Sequence, residues 1–179
     1  FVEGAASLMR EGVTADQIAS LVLRIAEGAA PIVCDPWDTK LEPRDGHAAR
    51  WSLPIVVAEQ FVHGRVDLAT FARPADAATR QLARRMQWER LAPHRFPHAF
   101  EAELVATLQD GSQRAVRIDD VFGNASRPAN DDDVLTKFRS NAGRALAPDA
   151  VESMIAFVLG METQQQLNGL SELVARRKS

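Results

Sequence analysis

The chain has 179 residues, 46% hydrophobic and 25% charged, with a formal net charge of −3 and a single cysteine. That length can bury one sizeable core, or one core plus a few docked helices. The acidic balance argues against a nucleic-acid or anionic-membrane partner. No apolar run is long enough to span a bilayer, and the lone Cys34 excludes an internal disulfide and fits a reducing cytoplasm.

Phe1, Val2, Ala5, Leu8 and Met9 recur at helical spacing, which predicts an amphipathic helix from about Phe1 to Arg10, ending near Gly12. The pattern opens without an initiator Met or a cap, so the chain reads as the C-terminal part of something longer. Thr14 can cap a short turn. From Ser20 to Ala26, Leu21, Leu23 and Ile25 alternate with Ser20 and Arg24, the pattern of a half-buried strand. Residues 27–46, rich in Gly, Pro and Asp, read as a loop.

A central helix follows, apolar almost throughout from Leu53 to Val62, so protein must cover it on at least three sides. Pro54 belongs in its first turn, Ser52 or Leu53 is the N-cap, and Gly64 closes it behind His63. A short helical turn is predicted at Asp67–Phe71, and a helix from Pro74 to about Met86. Residues 87–99 read as irregular.

A hairpin comes next. Phe100, Ala102, Leu104, Ala106 and Leu108 share one face of a strand, Asp110-Gly111 makes the turn, and Ala115, Val116 and Ile118 lie on the return strand. After a polar loop, three helices carry narrow apolar stripes. These begin with Val134, Leu135 and Phe138, then Val151, Met154 and Ile155 behind Pro148, then Leu167, Leu170 and Leu173. The basic run Arg176-Arg177-Lys178 reads as a frayed, solvated end.

The element order predicts an α+β fold: a small antiparallel sheet with helices packed on one face, followed by C-terminal helices. Three parts are expected: a flanking helix over residues 1–12, an α+β domain over 13–130, and a helical segment over 131–179. The last buries little against itself and is expected to dock on helices outside this chain.

The chemistry-bearing stretch runs from Asp45 to Phe71. His47, Arg50 and Ser52 stand immediately before the apolar helix, and side chains of these types can hold an anion beside the amides of a helix start. A substrate-binding wall for a carboxylate is one reading. The plainer one is that His47 and Arg50 solvate a loop while Ser52 caps a helix.

Other motifs carry less. Asp131-Asp132-Asp133 opens a helix, where capping and the helix dipole explain it better than a metal. His94 and His98 have metal-pair spacing, but Pro97 breaks the alignment and a third ligand is missing. Cys34 has no histidine nearby in sequence and reads as an inert thiol. No phosphate-binding glycine loop or catalytic triad is present, so no catalytic residue, metal or cofactor is assigned within the chain.

Taken together, several segments resemble the MmgE/PrpD family, whose members include 2-methylcitrate dehydratase and cis-aconitate decarboxylase. The resemblance rests on Glu42-Pro43 followed by HAARWSLPIVVAEQFVHGRVDLATF, on LQDGSQ, and on RPANDDDVLTKFRSNAGRAL. It implies a subunit with a large helical domain and a smaller α+β lid, of which this chain would be the lid and its flanking helices. It also implies cofactor-free chemistry on a small di- or tricarboxylate, commonly in a homodimer, with most acid and base residues outside this sequence. Some members bring a lid tyrosine in an SLPY segment, and Ile55 stands at that position here. The expectation is a hydro-lyase part inactive by itself, the alternative a non-catalytic module or a small carboxylate-binding protein.

Overall fold

The computed structural model describes residues 1–163 and 166–175 of the chain; the basic run at 176–178 lies outside them. They form two compact units, one over residues 1–127 and the other from residue 128 onward.

The first unit opens with α1 (Val2–Arg10), followed by β1 (Ile18–Ile25). The stretch expected to be a loop contains three short helices, α2 (Ala30–Val33), α3 (Trp37–Leu41) and α4 (Gly46–Arg50). None exceeds 5 residues, too few to show a helical period in the sequence. The apolar helix is α5 (Leu53–His63), capped by Ser52 and closed by Gly64 in the left-handed conformation at φ 72°. A 3-10 turn at Thr70–Ala72 leads to α6 (Ala77–Ala83), capped by the Asp76 carboxylate rather than started by Pro74.

The sheet is mixed, which corrects the purely antiparallel expectation. Residues expected to be irregular form β2 (Met86–Arg90), and the hairpin is β3 (Ala102–Leu108) with β4 (Gln113–Ile118), in the order β2-β1-β3-β4. β1 pairs antiparallel with β3 and parallel with β2. In β2 only Met86 and Trp88 turn to the core, while Gln87, Glu89 and Arg90 are exposed, so its apolar alternation is too short to stand out.

The register explains the packing. Leu21 pairs with Met86 and Ala106, and Leu23 with Leu104, so these side chains share the face that α1 and α5 cover. The other face mixes charged residues with the half-buried Val22 and Val105. Across it Arg24 lies between Glu89 and Glu103, at 3.1 and 2.7 Å.

At the end of the sheet, the loop before β3 is tied down by Glu101, whose side chain is 4% exposed. Its carboxylate accepts the Arg95 backbone amide, Arg95 Nε at 3.3 Å and an Arg117 guanidinium N–H at 3.4 Å. The Arg95 amide, and then its guanidinium, hold this carboxyl below the usual glutamate value against the opposing effect of burial. A depressed folded-state pKa stabilises the fold above the unfolded value of about 4.3, and that stability is lost as pH falls through the folded value. Urea unfolding is therefore expected to show falling stability between about pH 5 and about pH 3, with a shallower slope in Glu101→Gln. Equal slopes would show that Glu101 is not among the groups responsible.

The second unit contains α7 (Asp131–Ala142), α8 (Pro148–Leu159) and α9 (Asn168–Ala175). Asn130 and Asp133 cap α7 reciprocally, each side chain accepting the other's backbone N–H. Leu146, Ala150, Val151, Met154 and Ile155 form its small core, against which Leu135, Phe138 and Leu170 pack. Val134, Val158, Leu159, Leu167 and Val174 remain exposed.

Candidate functional site

The wall nominated from sequence is built where α4 meets α5. Asp45 caps α4, its carboxylate accepting the Ala48 amide at 2.7 Å. His47 and Arg50 lie three apart on this helix and therefore on one side of it, both exposed. Among the described residues Arg50 makes no ion pair; its guanidinium lies 5.5 Å from the Phe71 ring centroid, a cation–π contact.

Ser52 differs in kind. It is fully buried, donates its hydroxyl to the Lys40 carbonyl and accepts the Ile55 amide at 3.2 Å. Pro54 has no N–H, and the Val56 amide starts the helical ladder on the Ser52 carbonyl. The start of α5 is thus closed by its own cap, and the geometry gives Ser52 a structural role. Ser52→Ala removes the cap and leaves the Lys40 carbonyl without its donor. It should cost about 2 kcal/mol in urea unfolding, whereas a loss under about 0.5 kcal/mol would contradict the role. Ile55 is 1% exposed within the main core and has no donor or acceptor to offer.

What seats α4 was not visible in the sequence. A Cβ built on Gly46 would stand 1.9 Å from the Phe71 carbonyl oxygen, so only glycine lets the helix approach this turn. A hollow of about 140 Å³ beside this contact is lined by Arg44, Gly46, Ala49, Phe71, Arg73 and Ala75.

Behind the turn lies a buried charge that sequence reasoning missed. Glu59 of α5 has a side chain 1% exposed. It accepts two Arg73 N–H groups at 2.9 and 3.4 Å and the Thr79 hydroxyl at 3.3 Å, with His63 Nε2 at 3.7 Å. His63 also meets Asp76 at 2.9 Å. A single carboxylate inside a largely apolar helix was the available signal, since a buried carboxylate requires a partner.

Elsewhere, Cys34 is buried, and burial followed by nearby Asp35 pushes its thiol up to about 12, which keeps it protonated and unreactive at neutral pH. Among the described residues no three His, Cys, Asp or Glu side chains are grouped so as to hold a metal ion. None of the described helices is long and apolar enough to cross a membrane.

Comparison with known proteins gives this geometry a context. The MmgE/PrpD C-terminal domain matches residues 1–163. The chain is 30% identical over 168 residues to cis-aconitate decarboxylase of Mus musculus, covering 89% of this chain and 32% of the mouse protein. It is 29% identical over 139 residues to cis-aconitate decarboxylase of Homo sapiens, covering 74% of this chain and 28% of the human protein. The chain thus spans about a third of the length of the curated relatives it matches. With nearly all of its described length inside one domain match, the chain belongs to the MmgE/PrpD family and carries that family's C-terminal domain.

Proposed function

We propose that this chain is the substrate-covering part of a lyase acting on a small di- or tricarboxylate, with Arg50 and His47 facing the substrate. The observation that carries the reading is an exposed guanidinium that has no carboxylate partner among the described residues and lies over an aromatic ring. A guanidinium so placed can take both oxygens of a carboxylate in a bidentate pair. His47, one turn away, supplies a second donor to the same anion. Ser52 enters only by fixing the junction from which both project.

Lyase chemistry next to a carboxylate needs a base to remove a proton and an acid to protonate the leaving group. The wall holds neither a poised pair of carboxylates nor a nucleophile with an adjacent base, so those groups belong to the remainder of the parent enzyme. Here the chain binds, orients and excludes water. Among the family's reactions we favour dehydration, as in 2-methylcitrate dehydratase. The mammalian relatives are decarboxylases by name. The family tyrosine, however, is replaced by the buried Ile55, which cannot deliver a proton.

The test is a substrate panel of 2-methylcitrate, citrate and cis-aconitate, given to the full-length enzyme and to this chain alone. Loss of water from 2-methylcitrate by the full-length enzyme, with no turnover by the chain alone, is the expected result. Release of CO₂ from cis-aconitate would replace dehydration by decarboxylation. Turnover by the chain alone would refute the division of labour.

A further inference from the structure

We infer that Phe71 is a positioning residue for Arg50, and that the Glu59–Arg73 pair exists at this place to hold Phe71 still. The inference rests on the reading of Arg50 as the carboxylate-binding group and adds what sets its geometry.

An exposed arginine side chain loses much rotamer freedom when it grips a ligand, so a site gains affinity if the guanidinium is held in place beforehand. The Phe71 ring does this from one side, 5.5 Å from the guanidinium carbon. A ring beside the guanidinium leaves its N–H donors free for an incoming anion, which a carboxylate partner would not.

The ring is itself clamped on both sides. Before it, the Asp67 carboxylate accepts the Ala69 and Thr70 amides at 2.7 and 3.1 Å, and the Thr70 hydroxyl accepts the Asp67 amide at 3.1 Å. After it, Arg73 is drawn to Glu59, a residue 1% exposed on α5, whose N-cap Ser52 is separated from α4 by Trp51 alone. The Phe71 carbonyl meanwhile lies against Gly46, on the helix that carries Arg50. Platform and cation are therefore fixed to one another through the backbone of α4 and through α5. Burying a carboxylate to pair with a half-exposed arginine is an expensive way to fasten a surface turn, and a rest for Arg50 accounts for its position.

The experiment compares wild type, Phe71→Leu, Phe71→Tyr and Arg50→Ala. In the full-length enzyme KM and kcat are measured with the member of the tricarboxylate panel that is turned over. In this chain, NMR reports the ring-current shift of the Arg50 Hδ protons. Phe71→Leu should raise KM by about threefold to fivefold with kcat nearly unchanged, and should abolish the upfield Hδ shift. Phe71→Tyr, which keeps the ring, should restore both.

If Arg50→Ala raises KM while Phe71→Leu does not, the platform role is overturned and the reading of Arg50 stands. If Arg50→Ala leaves KM unchanged, the reading fails and the inference falls with it. Should Phe71→Leu unfold the unit, an unshifted Arg50 Hδ signal in the wild type would by itself overturn the contact.

Discussion

Arg73→Ala is expected to destabilise the fold by about 3 kcal/mol, the largest loss foreseen for any single surface-reaching side chain here. The reason lies in its partner. Glu59 has a side chain 1% exposed, and the guanidinium of Arg73 supplies its nearest cationic donors. Deleting the cation leaves a carboxylate in a desolvated position, and breaking a buried pair from one side costs roughly 3–5 kcal/mol. The lower end applies because Arg73 is itself 41% exposed and Thr79 and His63 still face the carboxylate. The Tm should fall by roughly 9 °C on the scale of 2–4 °C per kcal/mol for a chain of this size.

The double variant Glu59→Met with Arg73→Ala should recover most of that loss, since an apolar side chain in the same space has no charge to satisfy. A loss below about 1 kcal/mol for Arg73→Ala alone would show that Glu59 is hydrated or differently paired.

Arg50→Ala should behave in the opposite manner, with stability nearly unchanged and substrate binding severely weakened. The side chain is exposed and contributes no ion pair among the described residues, so the fold loses only a cation–π contact worth about 0.5–1 kcal/mol. On the proposed reading, binding loses a charge-assisted pair with the substrate carboxylate. Truncating one partner of such a pair costs about 2–5 kcal/mol, and even the lower part of that range, about 2.7 kcal/mol, raises KM roughly 100-fold. Arg50→Lys should recover only part of this, because a point charge replaces a planar fork. An unchanged KM in Arg50→Ala would remove the residue from the site.

The contrast between these two arginines also shows what the sequence could reveal. The α5 signals were local and strong: Ser52, Pro54 and Gly64 fall at positions where cap, first turn and left-handed stop each demand those residue types. The hairpin was legible for the same reason, through alternation in β3, but its loop has three residues rather than the expected two: the Leu108 amide donates to the Ser112 carbonyl, and Gly111 takes the left-handed conformation at φ 81°.

What escaped depends on partners distant in the chain. β2 carries only two core-facing residues, and its parallel pairing with β1 is set across some 60 intervening residues. Phe71 looked like an ordinary apolar residue closing a turn. Its role follows from Gly46, 25 positions earlier, and from an arginine bound to a helix before it. His47, Arg50 and Ser52 were adjacent on paper, yet folding sends two outward and buries the third. Period and spacing resolve elements, whereas the orientation of short helices such as α4 is decided by tertiary contact.

Everything proposed for this site depends on Arg50 meeting a carboxylate of the substrate. That contact is tested most directly by a crystal structure of the full-length enzyme with tricarballylate, a tricarboxylate lacking the hydroxyl that dehydration would expel. One ligand carboxylate is expected in bidentate contact with the Arg50 guanidinium, at about 2.8 Å, with the Phe71 ring still beside it. A ligand bound with all three carboxylates on other groups and Arg50 turned to solvent would contradict it.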